Sequence, residues 1–151
     1  MPSCFVILSI AFCILYHHLP AGTPPLDPEN LLIFVTGPLT GTSFPAVARS
    51  AVVTKSPSTG TIADSYSGSY FGPNLKYAGY DALVLSGKAE KPSYVWIDGD
   101  EISIRDAGRL WGMTCTDAEK ILADELKGGE AGKISVAGIG EAGERGVLFA
   151  N

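Results

Sequence analysis

With 151 residues, 46% of them hydrophobic, the chain is long and apolar enough to bury a core, which excludes a disordered polypeptide. Its net charge of −5 leaves no basic patch, so nucleic acid and anionic membrane surfaces are excluded as general partners. Three cysteines, Cys4, Cys13 and Cys115, give an odd count with no C-x-x-C pair. They support neither a disulfide framework nor a self-contained zinc site and fit a reducing, cytoplasmic setting.

Residues 4–16 (CFVILSIAFCILY) form an apolar run shorter than the roughly 20 residues that a membrane-spanning helix needs. No basic residue precedes it, so a buried helix is preferred over a secretory signal ending near Pro20-Ala21-Gly22. His17 and His18 are neighbours, about 100° apart on a helix, and read as a polar helix end rather than a metal-binding face. Pro20, Pro24, Pro25 and Pro28 then impose an irregular loop up to Asn30.

Short β-type runs follow. Residues 31–35 (LLIFV), 50–54 (SAVVT) and 82–86 (ALVLS) read as strands bounded by turn residues. Residues 93–97 and 101–105 flank Asp98-Gly99-Asp100 and read as a hairpin, because glycine accepts the positive φ of a tight turn. A short helix is expected over 72–78, with Pro73 in its first turn, where a missing N–H costs nothing. Another is expected over 116–127, with Thr116 and Glu119 as a capping box, Ala118, Ile121, Leu122 and Leu126 on one face, and Gly128-Gly129 as its end. Residues 133–137 and 147–149 read as further strands. The fold class is therefore α+β, with strand-rich mixed sheets and a few short helices in one domain.

Gly138-Ile139-Gly140-Glu141-Ala142-Gly143 matches the G-x-G-x-x-G pattern of dinucleotide-binding turns. A strand rather than a helix is expected after it, so it reads as a glycine-rich connection. Residues 37–72 are more informative. They combine Gly, Ser and Thr turns with Arg49, the first Lys or Arg of the chain. Such a composition suits a phosphorylated, heteroatom-rich ligand, although ordinary surface loops share it.

Taken in order, DPENLLIF (27–34), GPLTGTS (37–43), VVTKSPSTG (52–60), GSYFGPNLKYAGYDALVLSGKAEKP (68–92), IRDAGRLWG (104–112) and IGEAGE (139–144) resemble the amino-terminal domain of the aldehyde:ferredoxin oxidoreductase family. The resemblance implies a strand-rich base under a tungsten (or molybdenum) bis-pterin cofactor. It also implies an oxidoreductase that converts an aldehyde to a carboxylic acid and passes electrons through a [4Fe–4S] cluster to ferredoxin. On this resemblance Arg49 matches an arginine that contacts pterin phosphate or its magnesium, and Gly68 a glycine whose backbone approaches the pterin. Tyr66 stands where some members carry a pterin-bonding asparagine. Ser67 and Ser69 flank Gly68 as hydroxyl donors, Ser69 in place of a glycine.

Residues 1–10 depart from the family's opening hairpin and Gly-Arg-Gly-Leu segment and read as an atypical start, either non-native or targeting-like. Residues 11–151 read as a partial amino-terminal domain, truncated before an Arg-Ala-x-Gly-Arg segment. No catalytic residue and no metal ligand is assigned, and the three cysteines cannot form the four-thiolate cluster shell. The implied partners are ferredoxin, the remaining domains, an aldehyde substrate and, at full length, a further copy of the chain; nucleic acid and membrane are not among them. A sheet with unpaired edges would make the isolated chain poorly soluble or partner-dependent, and inactive. The alternatives are a non-enzymatic pterin- or partner-binding module and a small exported α+β protein.

Overall fold

The computed structural model describes residues 2–127 and 134–148. The chain divides into two compact units, residues 1–88 and 89–151. The first contains α1 (Pro2–His18), β1 (Leu32–Thr36), β2 (Ser50–Lys55), β3 (Ile62–Ser67), α2 (Phe71–Tyr77) and β4 (Ala82–Leu85). Its four strands lie in the order β3-β2-β1-β4, all neighbours antiparallel. Three successive strands followed by one that returns beside the first is a Greek-key order, and here α2 occupies the return connection.

Alternation along the strands decides where the core forms. Ile33 and Val35 of β1 and Ala51 and Val53 of β2 share one face and are fully buried. Helix α1 covers that face with Ile7, Ala11 and Leu15, spaced i, i+4, i+8. The expected buried helix is therefore present, but only one side of it is covered: Val6, Ile10 and Tyr16 are exposed. Among the described residues no helix is long and apolar enough to cross a membrane. The other face of the sheet presents Phe34, whose ring meets that of Phe71 of α2 at 5.5 Å.

Helix α2 starts one residue earlier than expected and keeps Pro73 in its first turn, where its missing N–H has no intrahelical acceptor to serve. It ends in a Schellman arrangement. Tyr80 N–H bonds the Leu75 carbonyl, Gly79 N–H bonds the Lys76 carbonyl, and Gly79 takes φ +97°. Lys76 then pairs with Asp81, just ahead of β4.

The second unit holds the hairpin β5 (Ser93–Asp98) and β6 (Glu101–Asp106), helix α3 (Cys115–Lys127) and the short α4 (Gly140–Glu144). Asp98 pairs with Glu101, and Gly99 between them has φ +57°, as the hairpin reading requires. The Arg105 guanidinium lies 5.0 Å from the Trp96 ring centre on the hairpin.

Three sequence expectations change in this unit. The cap of α3 is Thr114, not Thr116: Thr114 Oγ1 accepts from Asp117 N–H at 3.2 Å and donates to the Asp117 carboxylate at 2.8 Å. The reciprocal pair thus lies two residues upstream of Thr116 and Glu119. Residues 134–137 and Val147–Leu148 are irregular rather than strands, because they join neither sheet. And the glycine-rich motif is itself partly helical: α4 begins at Gly140 inside it and is only 5 residues long. Two of the turn's glycines already have conformational work: Gly140 has φ +63°, and a Cβ on Gly143 would lie 2.8 Å from that of Ile139. The side chain of Leu126 and residues Gly128-Gly129 lie outside the described residues.

Candidate functional site

The loop joining β1 to β2 and the connection joining β3 to α2 meet at one end of the sheet and enclose a cleft of about 510 Å³. Gly41, Thr42, Phe44, Ala46, Val47 and Ala48 line it from the first segment, and Gly68, Ser69 and Tyr70 from the second; Pro73 and Tyr77 of α2 complete the wall. The rim is aromatic and open to solvent: Phe44 is 66% exposed, Tyr70 78% and Tyr77 71%. Flat rings beside a cleft otherwise lined mostly by small residues suit a planar ligand better than a flexible aliphatic one.

Strand register brings the expected site residues together. In the β2–β3 ladder Ser50 pairs with Ser67 and Ala51 with Tyr66. One step outward the two chains leave the sheet at Arg49 and at Gly68, so both stand at the cleft end of the same ladder although 19 positions separate them in sequence. Arg49 directly follows the lining residue Ala48. It is exposed, and among the described residues its guanidinium makes no ion pair. Ser69 Oγ accepts from Phe71 N–H at 3.3 Å and lies 3.4 Å from Ser67 Oγ, so both hydroxyls are engaged locally. Tyr66 is 38% exposed and sits on β3 rather than in the cleft lining.

Gly68 is informative because the fold does not require a glycine there. Its φ is not positive, and a Cβ built on it meets nothing within 4 Å. Open space on that side leaves the backbone free for close approach by a ligand. By contrast Gly41 has φ +83°, and a Cβ there would come 3.2 Å from the Tyr77 ring. The Tyr77 hydroxyl also donates to the Gly41 carbonyl at 2.9 Å. Ala46 is held at φ +61°, a region costly for any residue with a Cβ.

Sequence reading missed the aromatic rim and the inner support of the loop. The signal was available in part, since GTSF, GSYFG and KYAG each set an aromatic residue beside turn residues. Among the described residues no group of three His, Cys, Asp or Glu side chains converges as a metal shell would.

The family model described as "Aldehyde ferredoxin oxidoreductase, N-terminal domain" matches residues 7–151. The chain belongs to this family. It is 49% identical over 141 residues to the tungsten-containing aldehyde ferredoxin oxidoreductase of Pyrococcus furiosus, covering 93% of this chain and 23% of that protein. The enzyme of the same name from Thermococcus kodakarensis is 46% identical over 141 residues, with 93% and 23% covered. An aliphatic sulfonate oxidoreductase, WOR-like subunit, from Pyrococcus furiosus is 38% identical over 83% of this chain and 21% of its own length. Among solved structures, the active site complex BamBC of benzoyl coenzyme A reductase with 1,5-dienoyl-CoA aligns with a TM-score of 0.79 and 38% identity, over 82% of this chain and 19% of that one. The chain thus spans less than a quarter of the length of each of these family relatives.

Proposed function

We propose that the chain provides a pterin-facing surface of a tungsten-dependent oxidoreductase of the aldehyde:ferredoxin type, with the cleft between the β1–β2 loop and the β3–α2 connection as the contact. One observation carries this reading: an arginine that makes no ion pair among the described residues and a glycine that the fold does not require share one end of a ladder, the glycine lining an aromatic-rimmed cleft and the arginine directly following the lining residue Ala48. The residues fit such a group. The Arg49 guanidinium offers a planar, bidentate cation to phosphate oxygens, Gly68 lets backbone come close, and Phe44, Tyr70 and Tyr77 offer flat faces to a ring system.

When bound, the tungsten centre supplies the redox chemistry of aldehyde oxidation. This chain's part is to hold and orient, and no residue in it is assigned a proton-transfer or ligand role. Relatives of the same domain are aldehyde, sulfonate and benzoyl-CoA enzymes by name. That spread favours a role on the cofactor side rather than in substrate choice. The [4Fe–4S] cluster, ferredoxin docking and the aldehyde pocket accordingly fall to other parts of a longer enzyme.

The test is pterin and tungsten content of the chain purified from a tungstate-replete host. The parent chain should co-purify with both and show no aldehyde-dependent dye reduction. Gly68→Val should lose the pterin while its melting temperature holds, because its new side chain points into open space. A parent chain free of pterin, or a G68V chain that retains it at the parent level, would refute the proposal.

A further inference from the structure

Thr40 is 4% exposed, yet its hydroxyl is the meeting point of three backbone segments. It accepts the Gly37 N–H at 3.0 Å, at the end of β1, and shares its one proton between the carbonyls of Val47 at 3.0 Å and Arg49 at 3.1 Å. Its methyl faces α2: a Cβ on Gly72 would come within 3.4 Å of Thr40 Cγ2, 3.2 Å of Ser50 Cβ and 3.5 Å of the Arg49 carbonyl carbon. The β1–β2 loop leaves the sheet at Gly37 and returns at Arg49, so a single side chain ties its exit to its re-entry. The Arg49 main chain is thereby fixed from inside while its guanidinium stands exposed outside.

We infer that Thr40 is a positioning residue that sets the place of the Arg49 guanidinium at the cleft mouth. The inference rests on the proposed role of the cleft. It follows from chemistry that few side chains can supply there: a hydroxyl that accepts and donates at once, on a branched carbon that also fills the space over Gly72. Serine keeps the first property and valine only the second. A buried donor N–H and two half-buried carbonyls left without Thr40 would each seek water or new partners, and the loop end would shift to reach them.

The experiment measures the rate at which the loaded chain releases its pterin, followed by the fluorescence of the oxidised pterin. Arg49→Gln should speed release about tenfold or more, the scale of a lost charge-assisted contact. Thr40→Val should speed it by a similar factor, and Thr40→Ser should stay within about threefold of the parent. The decisive arm is the double variant T40V/R49Q, which should release no faster than about twice the rate of R49Q, because Thr40 acts only through Arg49. If the two factors multiply, or if T40V releases at the parent rate, the positioning role is overturned while the cleft reading stands. If R49Q releases at the parent rate, or the parent holds no pterin, both readings fall. Should T40V not fold, Thr40→Ala replaces it, since it removes the hydroxyl and puts no larger group in its place. It should speed release about tenfold or more in the parent and no more than about twofold in R49Q, and equal factors in both backgrounds would overturn the inference.

Discussion

Asn30 closes the proline-rich loop at the foot of β1, and removing its side chain tests how that loop is fastened. Its amide nitrogen donates to the Pro25 carbonyl at 2.7 Å and lies 3.2 Å from both Thr54 Oγ1 and the Lys55 carbonyl. Its amide oxygen accepts the Leu31 N–H at 2.9 Å. Two N–H groups cannot fully serve three acceptors, so the side chain contributes about three complete hydrogen bonds. At about 1 kcal/mol net for each, Asn30→Ala should destabilise the chain by about 2–3 kcal/mol. Asn30→Asp keeps the acceptor for Leu31 but turns an oxygen toward the Pro25 and Lys55 carbonyls, and should cost about 1 kcal/mol more than alanine. The assay is urea unfolding at fixed pH followed by far-ultraviolet circular dichroism. Trp96 and Trp111, both beyond residue 88, provide a separate fluorescence signal for the second unit. An N30A chain within about 0.5 kcal/mol of the parent, or N30D more stable than N30A, would refute this account of the loop.

Three further substitutions bear on local geometry. Thr114→Ala should cost about 1 kcal/mol and lower helicity at the start of α3, whereas Thr116→Ala should cost less than about 0.5, as read by the same denaturation experiment. Ala46→Gly should raise stability by about 0.5–1 kcal/mol by relieving the positive φ, and a loss of stability would show that the backbone relaxes elsewhere. Gly41→Ala combines a positive φ with crowding by the Tyr77 ring; it should cost more than about 1 kcal/mol in thermal melts and also speed pterin release, since it displaces the cleft wall.

Much of the fold was legible because burial and chemistry coincided. Strands β1, β2 and β4 are apolar runs closed by turn residues, and the Asp98-Gly99-Asp100 turn specified its hairpin. Strand β3 was not legible. Ile62–Ser67 is polar and almost wholly exposed, so its strand identity comes from hydrogen bonds to β2 and not from any pattern of its own. Residues 134–137 fail in the opposite sense: their composition suits a strand, but a strand exists only with a partner. The capping error at α3 has a similar origin, since Thr114-x-x-Asp117 and Thr116-x-x-Glu119 both fit the pattern and only local geometry separates them.

The candidate site divides in the same way. Arg49 and Gly68 were reachable through the family resemblance, but nothing in the linear sequence shows that they stand at one end of one ladder. Phe44, Tyr70 and Tyr77 come from separate segments and form a rim only once the loops are folded back. Thr40 carries no chemical signature at all, and its importance is a matter of which three backbone groups surround one buried oxygen.

The β2–β3 ladder also has a consequence for how this domain tolerates changes in length. Its far end is a turn in which the Ser56 N–H bonds the Thr61 carbonyl at 2.8 Å and Gly60 has φ +71°. Residues inserted there would bulge away from the sheet and leave Arg49 beside Gly68, because the paired strands between them keep the count. Deleting one residue inside either strand is different: it reverses which face each later side chain presents and slides one chain by about 3.4 Å along the other. Engineered insertions should therefore be tolerated at 57–60 and not within 50–55 or 62–67.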